Sequence, residues 1–459
     1  MKRALVFGTG NNFIYSCAVI EDKYRIIGLA DNSKAKQGLK LFGYKIRKPE
    51  QYERDEYDCV ILTPSDSSVI KNHLIDAGIN QDIIINLGEA LSQQNGSRRL
   101  NIAVLFYGGM GDLIIGKNWL FLLNKRYEIG KEELHIYCDK NVTETLKSLY
   151  ADCDWISGIL PITYESSSLV ENDYDLIFRF SIFPYVQTMK DERVYQGNKN
   201  LYEYASGVRK YGLENYEPGF FSTPYFYKTV NKIFSKHPER KYHTHFDVLG
   251  NLGASDDYLC EIPVAESEDY LDGIGLARKK FITIDTGLNQ EYAVKPNVRS
   301  WKQEYWDRLA QLIKAVYPDI KVVQMGLSAG GCEDIHADLN LNGKTNLDQA
   351  KVLLKAALLH IDYEGGLIHL RHVLKGGCSI VLMGPTSAKI HNYPENIAIR
   401  TDVCMDPCEW TGQDWLVNCQ KGFSCPKCME SITPEIVMKS VNAFMEEQKR
   451  RNGEEYKGE

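Results

Sequence analysis

Long apolar runs are absent from this sequence, and their absence excludes one class of protein. No window approaches the roughly 20 consecutive apolar residues that a membrane-spanning helix requires. The segment Met1–Gly8 has a basic start, but its apolar stretch is far shorter than the central part of a secretory signal. We therefore expect a cytoplasmic protein without a transmembrane segment, and a peripheral position at an inner membrane stays open.

An excess of positive charge is absent as well. The 54 Lys and Arg residues are outnumbered by 61 Asp and Glu residues, so the net charge is −7. Because nucleic-acid-binding domains concentrate positive charge, we expect no nucleic-acid partner. The hydrophobic content of 44% and the charged content of 25% are typical of a folded globular protein, and they exclude disorder, collagen and coiled coil for most of the chain.

Short apolar strands alternate with helical patterns along the chain, which predicts parallel sheets with crossover helices. At about 100–200 residues per domain, the length itself predicts about three domains. A first lobe is predicted over residues 1–92, and a polar segment at 93–99 then interrupts the pattern as a linker. The predicted strands of this lobe are 4–7, 24–30, 59–62 and 83–86.

Two further lobes are predicted after this linker, over residues 100–275 and 276–459. The second begins with a strand at 101–107, and its residues 189–270 predict an irregular, mostly helical insertion. The third begins with a strand at 281–284 and ends with an amphipathic helix. Ligands of open parallel sheets bind beyond the carboxyl ends of the strands, so the loops at those ends are the candidate sites.

The first candidate is the loop Gly108-Gly109-Met110-Gly111-Asp112, between a predicted strand and a predicted helix. Glycines let a backbone approach a ligand closely, and the start of a helix presents free N–H groups. A carboxylate at that helix start is suited to accept the proton of an attacking hydroxyl. The alternative is that Asp112 is only a helix cap, which stabilises a helix by ~1 kcal/mol.

The second candidate is the turn Asp362-Tyr363-Glu364-Gly365-Gly366, followed about one helical turn later by His369. Unsatisfied N–H groups and the positive end of the helix dipole converge at such a turn, which predicts an anion site that suits a diphosphate. His369 would reach the same ligand. The alternative is a tight turn followed by a structural histidine.

Three cations form a third candidate. Lys295, Arg299 and Lys302 follow the predicted strand end at Thr286-Gly287. A cation at this position would neutralise a departing diphosphate. The alternative is a solvated cluster of charges that binds no ligand.

Five of the 12 cysteines crowd into one segment near the end of the sequence. Tetrahedral thiolate sites take four ligands, and two cysteines that are separated by two residues often supply two of them. The segment predicts a structural metal, zinc or iron, held by four of the five, with cysteine packing or a local disulfide as alternatives. These cysteines, to which we assign no direct part in the chemistry, are Cys404, Cys408, Cys419, Cys425 and Cys428.

An incomplete dinucleotide motif lies in the first lobe. Gly8-Thr9-Gly10 follows the first predicted strand and Asp31 follows the second, but Phe13 occupies the place of the third glycine of the fingerprint. The pattern predicts a Rossmann-like lobe and leaves a nucleotide within residues 1–92 open. An oxidoreductase that uses this lobe is the weakest of the functions considered.

Over about residues 101–443 the chain resembles glycosyltransferase family 9, the ADP-heptose:lipopolysaccharide heptosyltransferases. Four motifs in the order of the family carry the resemblance: Gly108 to Asp112; Arg299-Ser300-Trp301 with Glu304 and Trp306; the run from Asn340 to Leu347; and Glu364-Gly365-Gly366 to His369 followed by Gly384-Pro385-Thr386. The cysteine segment before Thr433-Pro434-Glu435 is similar to the C-terminal pattern of the family and to the four-cysteine iron finger of its autotransporter heptosyltransferase branch. Residues 1–92 resemble a Rossmann-like lobe found ahead of some bacterial sugar-modifying enzymes, on the basis of Gly28-Leu29-Ala30-Asp31-Asn32.

The resemblance implies an α/β fold of the GT-B type, with two Rossmann-like lobes that a small extra Rossmann-like domain precedes here. It implies an inverting transfer of heptose or a related sugar from a nucleotide-diphosphate donor to a glycan or protein hydroxyl in a bacterial surface-glycan or protein-glycosylation pathway, without a catalytic metal. Asp112 is then the catalytic base, and Gly109, Met110 and Gly111 form the acceptor-side loop. The implied donor-binding residues are Thr286, Gly287, Arg299, Gly326, Glu364, Gly365, Gly366, His369, Gly384, Pro385 and Thr386.

Two departures from the family pattern concern the donor. Glu364 stands in place of the family aspartate and Gly365 in place of its threonine, so one hydroxyl donor is lost and the contacts to the sugar differ. A non-catalytic nucleotide-sugar-binding or assembly protein is therefore the alternative function. The sequence leaves open the acceptor, the choice of four metal ligands among five cysteines, and whether the chain forms an oligomer.

Overall fold

The computed structural model describes residues 2–64, 66–92, 99–162, 173–220, 223–255, 260–267, 269–287, 297–327, 334–404 and 406–455. Most of the predicted linker, residues 93–98, lies outside these ranges. Within them the strands form three sheets that follow one another along the chain. The predicted α/β class, with a small extra sheet ahead of two others, is therefore confirmed.

The first sheet is formed by β1 (Lys2–Phe7), β2 (Tyr24–Ala30), β3 (Lys40–Leu41), β4 (Tyr44–Arg47), β5 (Cys59–Leu62) and β6 (Ile84–Asn86). Its helices are α1 (Asn11–Lys23), α2 (Ser68–Asp76) and α3 (Leu87–Ser92). The strand order is β3-β4-β2-β1-β5-β6, and the pairs are parallel apart from the short hairpin β3–β4. All four residues of β5 are buried, as expected for a parallel strand that is covered on both faces.

The second sheet is formed by β7 (Asn101–Phe106), β8 (Glu133–Cys138), β9 (Gly158–Pro161), β10 (Leu176–Phe180) and β11 (Pro184–Met189). Two helices, α4 (Met110–Tyr127) and α5 (Thr143–Leu149), lie between its strands in sequence. The strand order is β11-β10-β7-β8-β9, and β11 is antiparallel to β10. Every residue of β7 is buried, which fixes the strand that leads into the loop at Gly108.

Helices follow this sheet in the stretch that the sequence predicts as an irregular insertion. They are α6 (Asp191–Gly197), α7 (Lys199–Asn215), α8 (Thr223–Lys236) and α9 (Asp269–Gly273), with a 3₁₀ turn at Tyr242–Thr244. None of the helices in the described ranges is both long and apolar enough to cross a membrane.

The third sheet is wholly parallel, with the order β14-β13-β12-β15-β16-β17. Its strands are β12 (Phe281–Asp285), β13 (Lys321–Met325), β14 (Leu339–Asn340), β15 (Leu359–Tyr363), β16 (Ser379–Leu382) and β17 (Ile397–Ile399). Its helices are α10 (Gln303–Val316), α11 (Leu347–Ala356), α12 (Gly366–Val373), α13 (Ala388–His391), α14 (Lys427–Glu430) and α15 (Pro434–Glu455).

The first strand of each sheet lies between its successor and a later strand. β1 is flanked by β2 and β5, β7 by β8 and β10, and β12 by β13 and β15. Such a reversal of strand order is the topological switch point at which the ligands of parallel sheets bind. The loops that begin at Gly8, Gly108, Thr286 and Glu364 therefore leave the sheets where a ligand crevice is expected.

The core of the third sheet holds the segment before α10 against the end of β15. Trp306 is fully buried and donates its indole N–H to the Tyr363 hydroxyl at 2.8 Å. The backbone N–H of Trp301 donates to the same hydroxyl at 3.1 Å. These bonds fix Arg299, two residues before Trp301, near Glu364, which follows Tyr363.

The chain divides into two compact units that do not coincide with the sheets. The first contains residues 1–107, 123–147 and 153–209, and the second contains 108–122, 148–152 and 210–459. The domain boundaries proposed from the sequence, after residues 92 and 275, stay predictions. All residues of the candidate active site described next belong to the second unit.

Candidate active site

The loop after β7 places Asp112 against its own helix start. Gly108 has a φ of +127°, and a Cβ on it would overlap with the Asp112 carboxylate, so this position requires glycine. Asp112 Oδ2 accepts a hydrogen bond from the Gly109 N–H at 3.0 Å. Asp112 is the third residue of α4, so this bond satisfies an N–H group that a helix start leaves free. The cap that the sequence left open is therefore present, and it uses one of the two carboxylate oxygens.

The other oxygen of Asp112 is bound by Tyr242, which no sequence motif identified. The Tyr242 hydroxyl donates to Asp112 Oδ1 at 2.7 Å from the 3₁₀ turn Tyr242–Thr244. Burial raises the pKa of Asp112 to about 6, while the hydrogen bonds from Tyr242 and Gly109 lower it. A carboxyl group that titrates near neutral pH is matched to the acceptance of a proton in catalysis.

The loop at Asp112 meets the turn at Glu364 through two glycines. A Cβ on Gly111 would lie 2.7 Å from His369 Cδ2, and a Cβ on Gly366 would lie 2.9 Å from Met110 Cε. Both distances are too short for ordinary packing, so only glycine lets the two segments approach this closely. The structure therefore brings together the two loops that the sequence singled out separately.

The start of α12 combines an open helix end with a guanidinium group. Gly365 precedes the first residue of α12, and a Cβ on it would meet no atom within 4 Å. Arg299 Nη1 donates to both the carbonyl oxygen and Oε2 of Glu364 at 3.1 Å. Free N–H groups at a helix start and a nearby cation favour an anionic ligand.

Glu364 is ionised and engaged within the protein. Burial alone would raise its pKa, but the charges of His391 and Arg299 and the hydrogen bond from Arg299 outweigh that effect and lower it. Its Oε1 lies 3.5 Å from His391 Nδ1, and its Oε2 is bound by Arg299. Both carboxylate oxygens of Glu364 therefore have partners in the chain.

His391 and Glu409 extend this network, and neither was identified from the sequence. His391 Nε2 lies 2.7 Å from Glu409 Oε2, and Glu409 Oε1 accepts the Ser387 N–H at 2.9 Å. Burial lowers the pKa of His391, but the carboxylates of Glu409 and Glu364 outweigh it and raise the value. The two carboxylates thus favour the charged form of the imidazole. The position of Glu409 beside Cys408 is the one sequence feature that could have indicated it.

The pKa of His369 is shifted in the opposite direction from that of His391. Its Nδ1 shares a hydrogen bond of 2.6 Å with the Tyr393 hydroxyl. Burial lowers the pKa of His369 to about 3, an effect that the charge of Glu364 opposes. His369 is therefore a neutral imidazole near neutral pH, and its ring packs on Gly111.

Other predicted donor residues lie at the ends of β12 and β13, and their polar groups are used inside the protein. The Gly287 N–H donates to Asp285 Oδ1 at 2.8 Å. The Thr286 hydroxyl accepts a hydrogen bond from the Gln324 side chain at 3.0 Å. Gly326 has a φ of +138°, and a Cβ on it would overlap with Asp285. In this conformation these groups support the strand ends.

Two buried carboxylates that the sequence did not single out lie beneath the turn. Asp285 ends β12, and Asp362 is the next-to-last residue of the neighbouring β15. Burial raises the pKa of both carboxyl groups, helped by the charge of Asp362 on Asp285 and of Glu364 on Asp362. Both effects favour the protonated, uncharged form of these carboxyl groups.

The predicted donor residues Gly384, Pro385 and Thr386 lie beneath the cysteine segment. All three are buried, and a Cβ on Gly384 would overlap with Met429. The Pro385 carbonyl accepts the N–H groups of Cys408 and Glu409 at 3.0 and 3.3 Å. This turn anchors the segment that carries Glu409, and its role in donor binding stays a prediction.

The five clustered cysteines differ in their surroundings. Burial and the neighbouring Cys404, Cys408 and Cys419 raise the pKa of the Cys428 thiol to about 11. Cys425 is exposed. In the described part of the chain, no three His, Cys, Asp or Glu side chains converge closely enough to hold a metal ion. The structural metal therefore stays a prediction, and no step of the mechanism is derived through one.

Of the remaining predicted cations, Lys302 is engaged elsewhere. Lys302 pairs with Glu430 at 3.1 Å, and Lys295 lies outside the described residues. Arg299 is therefore the predicted cation that the structure brings to the turn at Glu364.

In the first sheet, the carboxylate of the dinucleotide-like motif, Asp31, is bound by neighbouring groups of the protein. Asp31 accepts the Thr9 N–H at 3.0 Å, the Ser33 N–H at 2.9 Å and the Lys36 ammonium at 3.2 Å, together with the Thr9 hydroxyl. An Asp that binds a ribose would need free acceptor sites. A nucleotide in this lobe stays a prediction, and in this conformation Asp31 is occupied by the lobe itself.

The fold and the site together define an α/β protein in which a half-buried carboxylate faces an open helix start beside an arginine. Residues 1–85 match the family model described as C2185-like, N-terminal. No curated protein matches the chain in sequence.

Several of the solved structures that resemble the chain are glycosyltransferases. ADP-heptose LPS heptosyltransferase II from Escherichia coli shares 16% identity over 76% of this chain and 100% of its own, with a TM-score of 0.46. A glycosyl transferase family 9 protein from Veillonella parvula shares 14% over 76% and 100%, also at 0.46. The iron-containing dodecameric glycosyltransferase TibC from enterotoxigenic E. coli shares 14% over 76% and 77%, at 0.47. The likeness to these structures concerns the fold.

Proposed function

We propose that this chain is an inverting glycosyltransferase of the GT-B type, with Asp112 as the catalytic base. One observation carries the proposal: the loop that bears Asp112 contacts the start of α12, where Gly111 packs on His369 and Gly366 packs on Met110. This contact supports the pairing of a proton acceptor with an anion site. Such a pairing serves a reaction in which a hydroxyl attacks and a diphosphate leaves.

In the proposed reaction, the diphosphate of a nucleotide sugar binds at the open start of α12. The acceptor hydroxyl attacks the anomeric carbon from the face opposite the diphosphate, and Asp112 takes its proton. A new carbon–oxygen bond forms, the bond between the anomeric carbon and the phosphate oxygen breaks, and the configuration inverts. Arg299 and the N–H groups of α12 stabilise the charge that develops on the departing diphosphate.

The substrate class follows from the resemblance to family 9. We propose heptose or a related sugar as the transferred group, and a glycan or protein hydroxyl as the acceptor, in the cytoplasm and in a surface-glycan pathway. Because Glu364 and Gly365 replace the aspartate and threonine of the family, the contacts to the sugar differ. A thermal-shift screen of nucleotide sugars would identify the donor, since a ligand that binds the folded state raises its melting temperature.

A non-catalytic nucleotide-sugar-binding or assembly protein is the second candidate. It is favoured by the internal engagement of groups that were expected to bind the donor, namely both Glu364 oxygens and the Gly287 N–H. The two candidates differ in turnover. Slow donor hydrolysis or transfer supports the enzyme, and donor binding without turnover on any acceptor supports the alternative.

The decisive variant is Asp112→Asn, which keeps the size of the side chain but removes the base. We expect transfer to fall by about 10²–10⁴-fold, with the donor-induced thermal shift retained. Asp66→Asn is the matched control, because Asp66 Oδ1 accepts the N–H of Ser68, the first residue of α2, at 3.2 Å and lies outside the site. Unchanged transfer in Asp112→Asn would refute the mechanism, and an equal loss in Asp66→Asn would point to unfolding.

We also propose that a structural metal, zinc or iron, binds Cys404, Cys408, Cys419 and Cys428. The support is that the first three lie near enough to act on the Cys428 thiol, whereas Cys425 is exposed. Binding would draw these thiols together and hold Glu409 against His391. Elemental analysis should find the metal lost in Cys408→Ser and kept in Cys425→Ser. Equal metal content in both variants would contradict this choice of ligands.

A further inference from the structure

We propose that Tyr242 is a positioning residue for Asp112, holding the carboxylate in one orientation and in its ionised form for the acceptor hydroxyl. This inference rests on the proposed function. It concerns a residue 130 positions away in the chain that belongs to no motif of the sequence.

The carboxylate is anchored at both oxygens. Tyr242 donates to Oδ1 at 2.7 Å and the Gly109 N–H donates to Oδ2 at 3.0 Å. Two donors on opposite oxygens fix the carboxylate plane, which a single cap would leave free to rotate. Each ionised oxygen has two acceptor sites, so one site on each remains for a substrate proton.

Tyr242 is itself held by rings on several sides. Its ring lies 4.7 Å from that of His391, measured between centroids. The rings of Phe234 and Trp410 lie nearly parallel to it, at 15° and 16°, with centroids 6.4 and 6.3 Å away. The hydroxyl therefore has little freedom to leave Asp112. Burial and the charge of Asp112 raise the pKa of Tyr242 well above its ordinary value, so it remains a donor.

The groups around Asp112 have opposing effects on its pKa. Burial and the charge of Glu364 favour the protonated carboxyl, whereas Tyr242, Gly109 and the charge of His391 favour the carboxylate. Among these, Tyr242 can be altered without moving a charge or the backbone. Loss of its hydroxyl should therefore raise the pKa of Asp112 above about 6 and leave less ionised base at neutral pH.

The test compares Tyr242→Phe with Tyr150→Phe. Tyr150 donates to the carbonyl of Leu113 at 2.9 Å, so the control removes a hydroxyl bound to the same helix, one residue beyond Asp112. In Tyr242→Phe we expect kcat to fall about 10-fold at pH 7, the loss of one hydrogen bond to a charged group. The acid limb of the pH profile should move to higher pH, and KM for the donor should stay unchanged. Tyr150→Phe should leave the acid limb in place.

A purely structural role gives a different result. Equal activity loss at every pH, or the same profile in both variants, would overturn the proposal. In the Asp112→Asn background, Tyr242→Phe should cause no further fall in transfer. A further fall of the same size would also overturn it.

A second measurement does not depend on turnover. Carboxyl ¹³C NMR of aspartate-labelled protein, with the Asp112 signal assigned by its loss in Asp112→Asn, reports the pKa of this group directly. A higher midpoint in Tyr242→Phe supports the proposal even if no transfer is found, in which case only the proposed function fails. If the Tyr242→Phe variant is folded and active and the titration midpoint of Asp112 is unchanged, the proposal is overturned.

Discussion

Two junctions of this chain share one local design and differ in what their carboxylates do. β1 runs into Gly8 and then α1, and β7 runs into Gly108 and then α4. Both glycines have positive φ, at 100° and 127°. In each loop a backbone N–H donates to an aspartate: Thr9 donates to Asp31, which follows β2, and Gly109 donates to Asp112, which lies in the first turn of α4. From the backbone alone the two junctions would be judged equivalent.

Their electrostatics separate them. Asp31 is bound by four donors, one of which is the Lys36 ammonium, and these bonds outweigh burial and lower its pKa. Asp112 has two neutral donors, and burial outweighs them and raises its pKa to about 6. The difference teaches that the number and charge of the donors, rather than the strand–glycine–helix pattern, decide whether a carboxylate can act as a base near neutral pH.

The largest expected effect on stability and transfer comes from adding a single methyl group at Gly111. In Gly111→Ala the new Cβ would lie 2.7 Å from His369 Cδ2, and the ring is tied to Tyr393, so one of them must shift. Alanine normally favours a helix over glycine, so a loss of stability would come from the clash. We expect about 1–3 kcal/mol of destabilisation and at least about a 10-fold fall in transfer, measured by chemical unfolding and initial rates.

Gly10→Ala is the control in the other junction. A Cβ on Gly10 would meet no atom within 4 Å, and its φ of −83° suits alanine. We expect a change in stability within about 0.5 kcal/mol and unaltered transfer. If Gly111→Ala were equally silent, the contact between the two loops would have no part in the reaction.

Much of the fold follows from patterns that are local in the sequence. The apolar runs at 59–62 and 281–284 are buried strands because helices cover both faces of their sheets. The strands β9, β11 and β17 carry weaker signals, since they lie at or near sheet edges and are partly exposed. Their pairing is decided by the neighbouring strands, which the local sequence does not contain.

The site was predictable only in its motif residues. Asp112, Glu364 and Arg299 lie in short patterns with a chemical meaning. Tyr242, His391 and Glu409 lie in no such pattern, because their roles depend on contacts between distant segments, such as the 130 positions between Asp112 and Tyr242. Conversely, Gly287 and Thr286 were expected to face a donor, and their polar groups bind Asp285 and Gln324.

The next expected effect is smaller and concerns how the stability of two variants depends on pH. If replacing Asp112 and replacing Asp31 changed stability with the same sign, the electrostatic distinction between the two junctions would be contradicted. The pKa of Asp112 is about 6 in the fold and about 3.9 in an unfolded chain, so its ionisation destabilises the fold as pH rises through this range. The full difference would correspond to about 3 kcal/mol, which partial exposure and the loss of charged hydrogen bonds reduce. We therefore expect Asp112→Asn to be about 1–2 kcal/mol more stable than the parent at pH 8 and no more stable at pH 4.

Asp31→Asn should behave in the opposite way. The folded pKa of Asp31 is lowered, so its ionised form contributes stability that is present above the unfolded pKa and is lost as pH falls through the folded value. We expect Asp31→Asn to lose about 1 kcal/mol at pH 8, through weaker bonds to Thr9, Ser33 and Lys36, and less at pH 4. Urea unfolding of both variants and the parent between pH 4 and 8 measures the two trends together. A destabilised Asp112→Asn at pH 8 would show that this carboxylate serves the fold as Asp31 does, and it would remove the electrostatic distinction on which the assignment of the base depends.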